Sequence, residues 1–92
     1  MHTIRWSPEA AADLERIVRR IQQENPDAAR RVARAIYDGA TSLQTFPERG
    51  RLGRRPGSRE LIFLPWPYIL VYRVTNDVVE ISRVWHAAQD WH

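Results

Sequence analysis

"YILVYRVTNDVVEISRVW", residues 68–85, sets two β-branched and aromatic runs on either side of Asn76-Asp77. Two such runs around a two-residue turn that tolerates positive φ predict an antiparallel hairpin, 68–74 with 78–85. The turn sets a register in which position x faces 153 − x, so Val74 faces Val79, Arg73 faces Glu80, Tyr72 faces Ile81 and Leu70 faces Arg83. One face then carries Ile69, Val71 and Arg73 with Glu80, Ser82, Val84 and His86. The other carries Tyr68, Leu70, Tyr72 and Val74 with Val79, Ile81, Arg83 and Trp85, and Leu70, Tyr72, Val79 and Ile81 are expected to turn inward. Arg83 is the only charge on that face. Burying it unpaired costs several kcal/mol, so it must reach water, meet a carboxylate such as Asp90, or hold an anionic ligand.

Upstream of the hairpin, "ELIFL" (60–64) reads as a third antiparallel strand, set off by Pro65-Trp66-Pro67, which is too proline-rich for a central ladder. Two helices precede it, over 8–24 and 26–45. Ser7-Pro8-Glu9 supplies a cap, a first-turn proline and an acid at the positive helix end, and Asn25-Pro26-Asp27 repeats the signal. In the first helix Leu14, Ile17, Val18 and Ile21 make the apolar stripe and leave Asp13, Glu15, Arg16, Arg19 and Arg20 for solvent. The second stripe, Ala29, Val32, Ala33, Ile36, Ala40 and Leu43, is rich in small residues, which lets the helices approach as an antiparallel hairpin. "HTIRW" (2–6) is a short strand ahead of them. The chain, 1–92, therefore reads as a single α+β domain: an N-terminal strand, a two-helix hairpin, then a three-stranded, mainly antiparallel sheet.

Composition narrows the chemistry. With no cysteine in 92 residues, disulfides, thiolate nucleophiles and Cys/His zinc sites are excluded, and His2, His86 and His92 share no ligand spacing. Gly50, Gly53 and Gly57 do not form a phosphate loop between a strand and a helix. No metal or cofactor is expected. The absence of a signal-peptide order and of any long apolar run points to a cytoplasmic protein without a membrane partner.

Every one of the 14 basic residues is an arginine. Five of them, Arg49, Arg51, Arg54, Arg55 and Arg59, crowd into "FPERGRLGRRPGSREL" (46–61) beside Glu48 and Glu60, and 5 − 2 = +3 equals the net charge of the whole chain. Arginine without lysine favours planar, bidentate contacts with carboxylate or phosphate, so this stretch is a candidate site for an acidic peptide or a phosphate backbone. Trp6, Trp66, Trp85 and Trp91 could pack or stack bases.

The order strand–two helices–three strands, carrying "ENPDAARRV", "FPERGRLGRRPGSREL", "YILVYRV" and "VEISRVWHAAQDW", resembles the RelE/ParE superfamily of bacterial toxins over residues 3–91. The resemblance implies the toxin of a type II toxin–antitoxin system, neutralised by a cognate acidic antitoxin whose amphipathic tail wraps helices and sheet. Operator DNA would be reached only through the antitoxin. Within the superfamily, RelE-like members cleave mRNA on the ribosome with basic residues in the loop, an arginine ahead of the "Y-x-L-V-Y" strand, and a tyrosine or histidine with an arginine near the C-terminus. Here the loop arginines match loosely, the second position falls on Leu64 or Pro65 and departs from the pattern, and the third falls on Arg83 and His86, with Trp91 or nothing where the tyrosine would stand. That alternative, an mRNA interferase, would assign catalysis to Arg59, Arg83 and His86. ParE-like members inhibit DNA gyrase by binding it, and "RVWHAAQDW" is similar to their "R-V-x-H-x-x-x-D" ending. The ParE-like reading, a growth-inhibiting gyrase inhibitor of the plasmid-stabilisation kind, assigns partner and target binding to Arg49, Arg51, Arg54, Arg55, Arg59, Arg83, Trp85, His86 and Trp91.

Overall fold

The computed structural model describes residues 1–88, so the expectations placed on Asp90, Trp91 and His92 lie outside the described residues. Its elements are β1 (Thr3–Trp6), α1 (Pro8–Glu24), α2 (Pro26–Ser42), β2 (Arg51–Leu52), β3 (Ser58–Ile62), β4 (Tyr68–Thr75) and β5 (Val78–His86). Both helices start as the caps dictate: Ser7 Oγ accepts the Ala10 N–H at 3.0 Å, and Asn25 Oδ1 accepts the Ala28 N–H at 3.0 Å. α2 stops three residues short of the expected end. Leu43 and Gln44 donate instead to carbonyls three residues back, Ala40 and Thr41, as the chain tightens ahead of Pro47, whose ring disfavours a helical Phe46.

The five strands form one sheet in the order β1-β5-β4-β3-β2, with β1 parallel to β5 and every other pair antiparallel. The helix hairpin covers one face, where Ala10, Val32, Ile36, Ala40 and Leu43 meet Leu61, Leu70, Tyr72, Val79, Ile81 and Val84. Trp6 and Trp66 pack against that cluster.

The hairpin register holds, then slips. Val74–Val79, Arg73–Glu80 and Tyr72–Ile81 pair as expected about a turn whose Asn76 has φ 54°; beyond them Val71 faces Arg83, Leu70 faces Val84, Ile69 faces Trp85 and Tyr68 faces His86. Leu70 therefore does not face Arg83. A β-bulge at Ser82 adds one residue to β5, and a one-residue slip exchanges the faces of everything past it. Val84 turns into the core, fully buried, while Arg83 and Trp85 move to the outer face beside Val71 and Ile69. The physical gain is clear: an apolar side chain takes the core position that the unbulged register would give to a guanidinium.

A second difference lies inside the arginine stretch. Arg51 and Leu52 pair with Glu60 and Arg59 as the short edge strand β2, and β3 begins at Ser58 and ends at Ile62 rather than spanning 60–64. Four strands, not three, follow the helices.

Candidate functional site

The arginine stretch is tied to the sheet from below by Tyr72, which is fully buried. Its hydroxyl donates to the Pro47 carbonyl at 2.8 Å and accepts the Gly50 N–H at 2.9 Å. Burial pushes the Tyr72 phenol up, against the opposing pull of the Gly50 hydrogen bond and of Arg59 and Arg49. A Cβ at Gly50 would come within 2.7 Å of that hydroxyl, so the close approach requires glycine.

Arg59, Arg49 and Arg51 brace the loop. Arg59 Nη1 donates to the Gly50 carbonyl at 2.8 Å and to the Glu48 carbonyl at 3.2 Å. Arg49 reaches Ser42 Oγ at 2.7 Å. Arg51 closes on the buried Glu60 carboxylate through Nε at 3.0 Å and Nη2 at 2.9 Å. Arg54 and Arg55 sit in the turn between β2 and β3, where Gly57 adopts φ 82° and Arg73 Nη1 braces the Pro56 carbonyl at 2.9 Å. With Arg73 and Arg83 they line a cavity of about 320 Å³ on the outer face of the sheet, and Glu9, Glu60, Val71 and Trp85 complete its character.

Arg83 finds a carboxylate, and it is Asp13. Its Nε donates to Asp13 Oδ2 at 2.7 Å and its Nη2 to Oδ1 at 3.1 Å, while Oδ2 also accepts the Val84 N–H at 3.0 Å and Oδ1 accepts from Arg16 at 2.6 Å. The sequence reading left Asp13 to solvent; it is only 2 % exposed. The reason lies at the sheet edge. β1 ends at Trp6, so β5 loses its strand partner there, and α1 takes over: Ser7 N–H donates to the Ile81 carbonyl, Ser7 Oγ donates to the Ser82 carbonyl, and Asp13 receives the Val84 amide. A signal was available, since Asp13 shares the stripe of Ala10, Leu14, Ile17 and Ile21 at helical spacing.

Burial alone would push the Asp13 carboxyl up, but hydrogen bonds from Arg83, Val84 and Arg16, together with the Arg83 charge, hold it below the ordinary carboxylate value. The same hydrogen bond raises Arg83 further, against a smaller opposing effect of burial. The Arg83 guanidinium also lies 5.1 Å from the centroid of the Trp85 ring, within cation–π range.

His86 belongs elsewhere. Its ring meets Tyr68 edge-on at 5.5 Å and its Nδ1 accepts the Ala88 N–H at 3.0 Å. Together with Arg16, Arg20 and Tyr68 it lines a second cavity, about 770 Å³, between α1 and the far end of the hairpin. Burial pushes the Tyr68 phenol up there, with Arg20 pulling it down. Arg59, Arg83 and His86 are thus not brought together: one holds loop carbonyls, one holds Asp13, one lines a different cavity. Among the described residues no cluster of three or more His, Asp or Glu side chains could hold a metal ion, and no helix is long and apolar enough to cross a membrane.

Residues 4–91 match the family model described as the ParE toxin of the type II toxin–antitoxin system parDE. The chain belongs to that family. Toxin RelE2 of Caulobacter vibrioides is 42 % identical to this ParE-family chain over 89 residues, covering 97 % of it and 99 % of the relative. Among solved structures, the chromosomal ParDE system of P. aeruginosa superposes with a TM-score of 0.83 at 28 % identity, covering 94 % of this chain and 96 % of that one. The RelBE2 toxin–antitoxin complex of Mycobacterium tuberculosis gives 0.64 at 27 % identity over 92 % and 96 % of the two chains. The ParE-family chain is therefore a type II toxin of RelE/ParE architecture.

Proposed function

We propose that this ParE-family toxin arrests growth by binding DNA gyrase in the cytoplasm, is held inactive by a cognate acidic antitoxin, and meets operator DNA only through that antitoxin. The observation that carries the mechanism is the dispersal of the nuclease candidates. Cleaving RNA requires an acid or base and a charge-stabilising donor around one phosphate. Here the Arg83 donors Nε and Nη2 are engaged by Asp13 in one cavity, and the His86 Nδ1 is engaged by Ala88 in another. Binding needs no such pair. The higher TM-score to the ParDE system than to RelBE2, 0.83 against 0.64, supports the same choice. Both neighbours come from toxin–antitoxin systems, ParDE and RelBE2, which supports a neutralising partner for this chain.

The test is direct. Purified gyrase is assayed for supercoiling of relaxed plasmid with increasing amounts of the chain, and mRNA 5′ ends are mapped in cells expressing it. Loss of supercoiling with unchanged 5′ ends is expected. Intact supercoiling with new, ribosome-dependent 5′ ends would overturn the proposal in favour of an mRNA interferase using Arg59, Arg83 and His86.

A further inference from the structure

Strand pairing arranges the outer face of the sheet in rows. One row runs Arg5, Glu80, Arg73, Ser58; the next runs Arg83, Val71, Glu60, Arg51; the third runs Trp85, Ile69, Ile62. Three carboxylates next to this face are held by arginines: Glu80 by Arg5 at 3.5 Å, Glu60 by Arg51 at 2.9 Å, and Asp13 by Arg83 at 2.7 Å. The face is therefore chemically suited to taking up carboxylates. The cavity of about 320 Å³ opens between these rows, and its lining places four arginines against Glu9 and Glu60, 4 − 2 = +2. Next to the charges lie the apolar Val71 and the Trp85 ring.

We infer that this cavity docks one acidic side chain of the neutralising partner together with the apolar side chain next to it, the carboxylate meeting Arg54, Arg55 and Arg73 and the apolar group covering Val71 and Trp85. The inference rests on the toxin reading above, in that it assigns a place to that toxin's antitoxin. A planar guanidinium matches a carboxylate with two parallel hydrogen bonds, which is the geometry Arg83 and Asp13 already display. One feature favours a peptide over a nucleic-acid strand: Glu9 and Glu60 oppose every anion here, and that opposition grows with each further phosphate of a strand, so a single carboxylate beside an apolar group is opposed least.

Fluorescence anisotropy on the purified full-length chain tests this with three labelled probes: a short peptide alternating Asp and Leu, its Asn/Leu counterpart, and an oligothymidylate of equal charge. The Asp/Leu peptide is expected to bind at least about tenfold tighter than either control. Arg73→Ala, or Arg54→Ala with Arg55→Ala, should weaken it by a similar factor, and Arg19→Ala on the solvent side of α1 should leave it unchanged. Glu9→Gln should strengthen binding about two- to fivefold, a gain that misfolding cannot mimic. Equal binding of the Asn/Leu peptide, oligothymidylate binding lost with the same arginines, or no response to Glu9→Gln would each overturn the inference. A chain that arrests growth yet ignores the acidic peptide removes the cavity assignment alone. A chain that binds the peptide as expected but leaves growth untouched supports the cavity and removes the toxin reading.

Discussion

Asp13 is the residue on which the helix layer and the sheet edge meet, and its substitution separates local structure from function. Asp13→Ala would leave the buried Val84 N–H and the Arg83 guanidinium without their acceptor. The expected loss is roughly 2–3 kcal/mol, below the value for a fully buried pair because Arg83 is 40 % exposed. In a domain of this size that lowers the Tm by about 10–20 °C in a thermal melt. Arg83→Met should also destabilise, because it strips the buried Asp13 of its bidentate partner, and a double-mutant cycle between the two positions should return a coupling of about 1–3 kcal/mol. Additive effects would show that the pair is incidental. Acid should act through the same carboxyl. Its folded pKa lies below the unfolded value of 3.8, so its contribution is present above that pH and is lost as the pH falls through the folded value. Urea melts of the wild type between about pH 5 and pH 2 should therefore show a steeper loss of stability than Asp13→Asn. Equal slopes would place the carboxyl's stabilisation elsewhere.

At the level of elements, the helix caps, both helix stripes and the Asn76-Asp77 turn were readable because each is a local pattern, complete within a few residues. The bulge at Ser82 was not. It depends on β1 ending at Trp6 and on Ser7 and Asp13 replacing it along β5, residues that lie some seventy positions away and meet only in the fold. The same limit hid β2, whose two residues carry no periodicity, and it made the arginine stretch look like one uniform patch. Its charge was legible; its division of labour was not, because that depends on which carbonyl or carboxylate each guanidinium reaches. Tyr72 gives the clearest test of that division. Tyr72→Phe removes the hydroxyl that holds Pro47 and Gly50, and should cost about 1–3 kcal/mol. Amide exchange should rise first at Gly50, with the hairpin amides of β4 and β5 largely protected. Uniform acceleration across the sheet would mean that the hydroxyl supports the whole fold rather than the loop.

Over the whole molecule, the helix hairpin covers one side of the sheet, while Arg5, Arg51, Arg73 and Arg83 lie in the rows of the other. This is why a chain of 92 residues can place charge on its outer sheet face without burying an unpaired charge in its core. If the loop arginines act collectively in binding, removing any one of Arg49, Arg54 or Arg55 should reduce toxicity only gradually, and binding should weaken smoothly with salt. A catalytic loop would instead fail abruptly at one position, because a developing charge is stabilised from one place. Pulse-labelling of DNA and protein synthesis in the first minutes after induction of the chain without a partner separates a toxin that binds from one that cuts. For a gyrase-binding toxin, thymidine incorporation is expected to stop first while amino-acid incorporation continues. Translation collapsing first, with DNA synthesis still running, would contradict it.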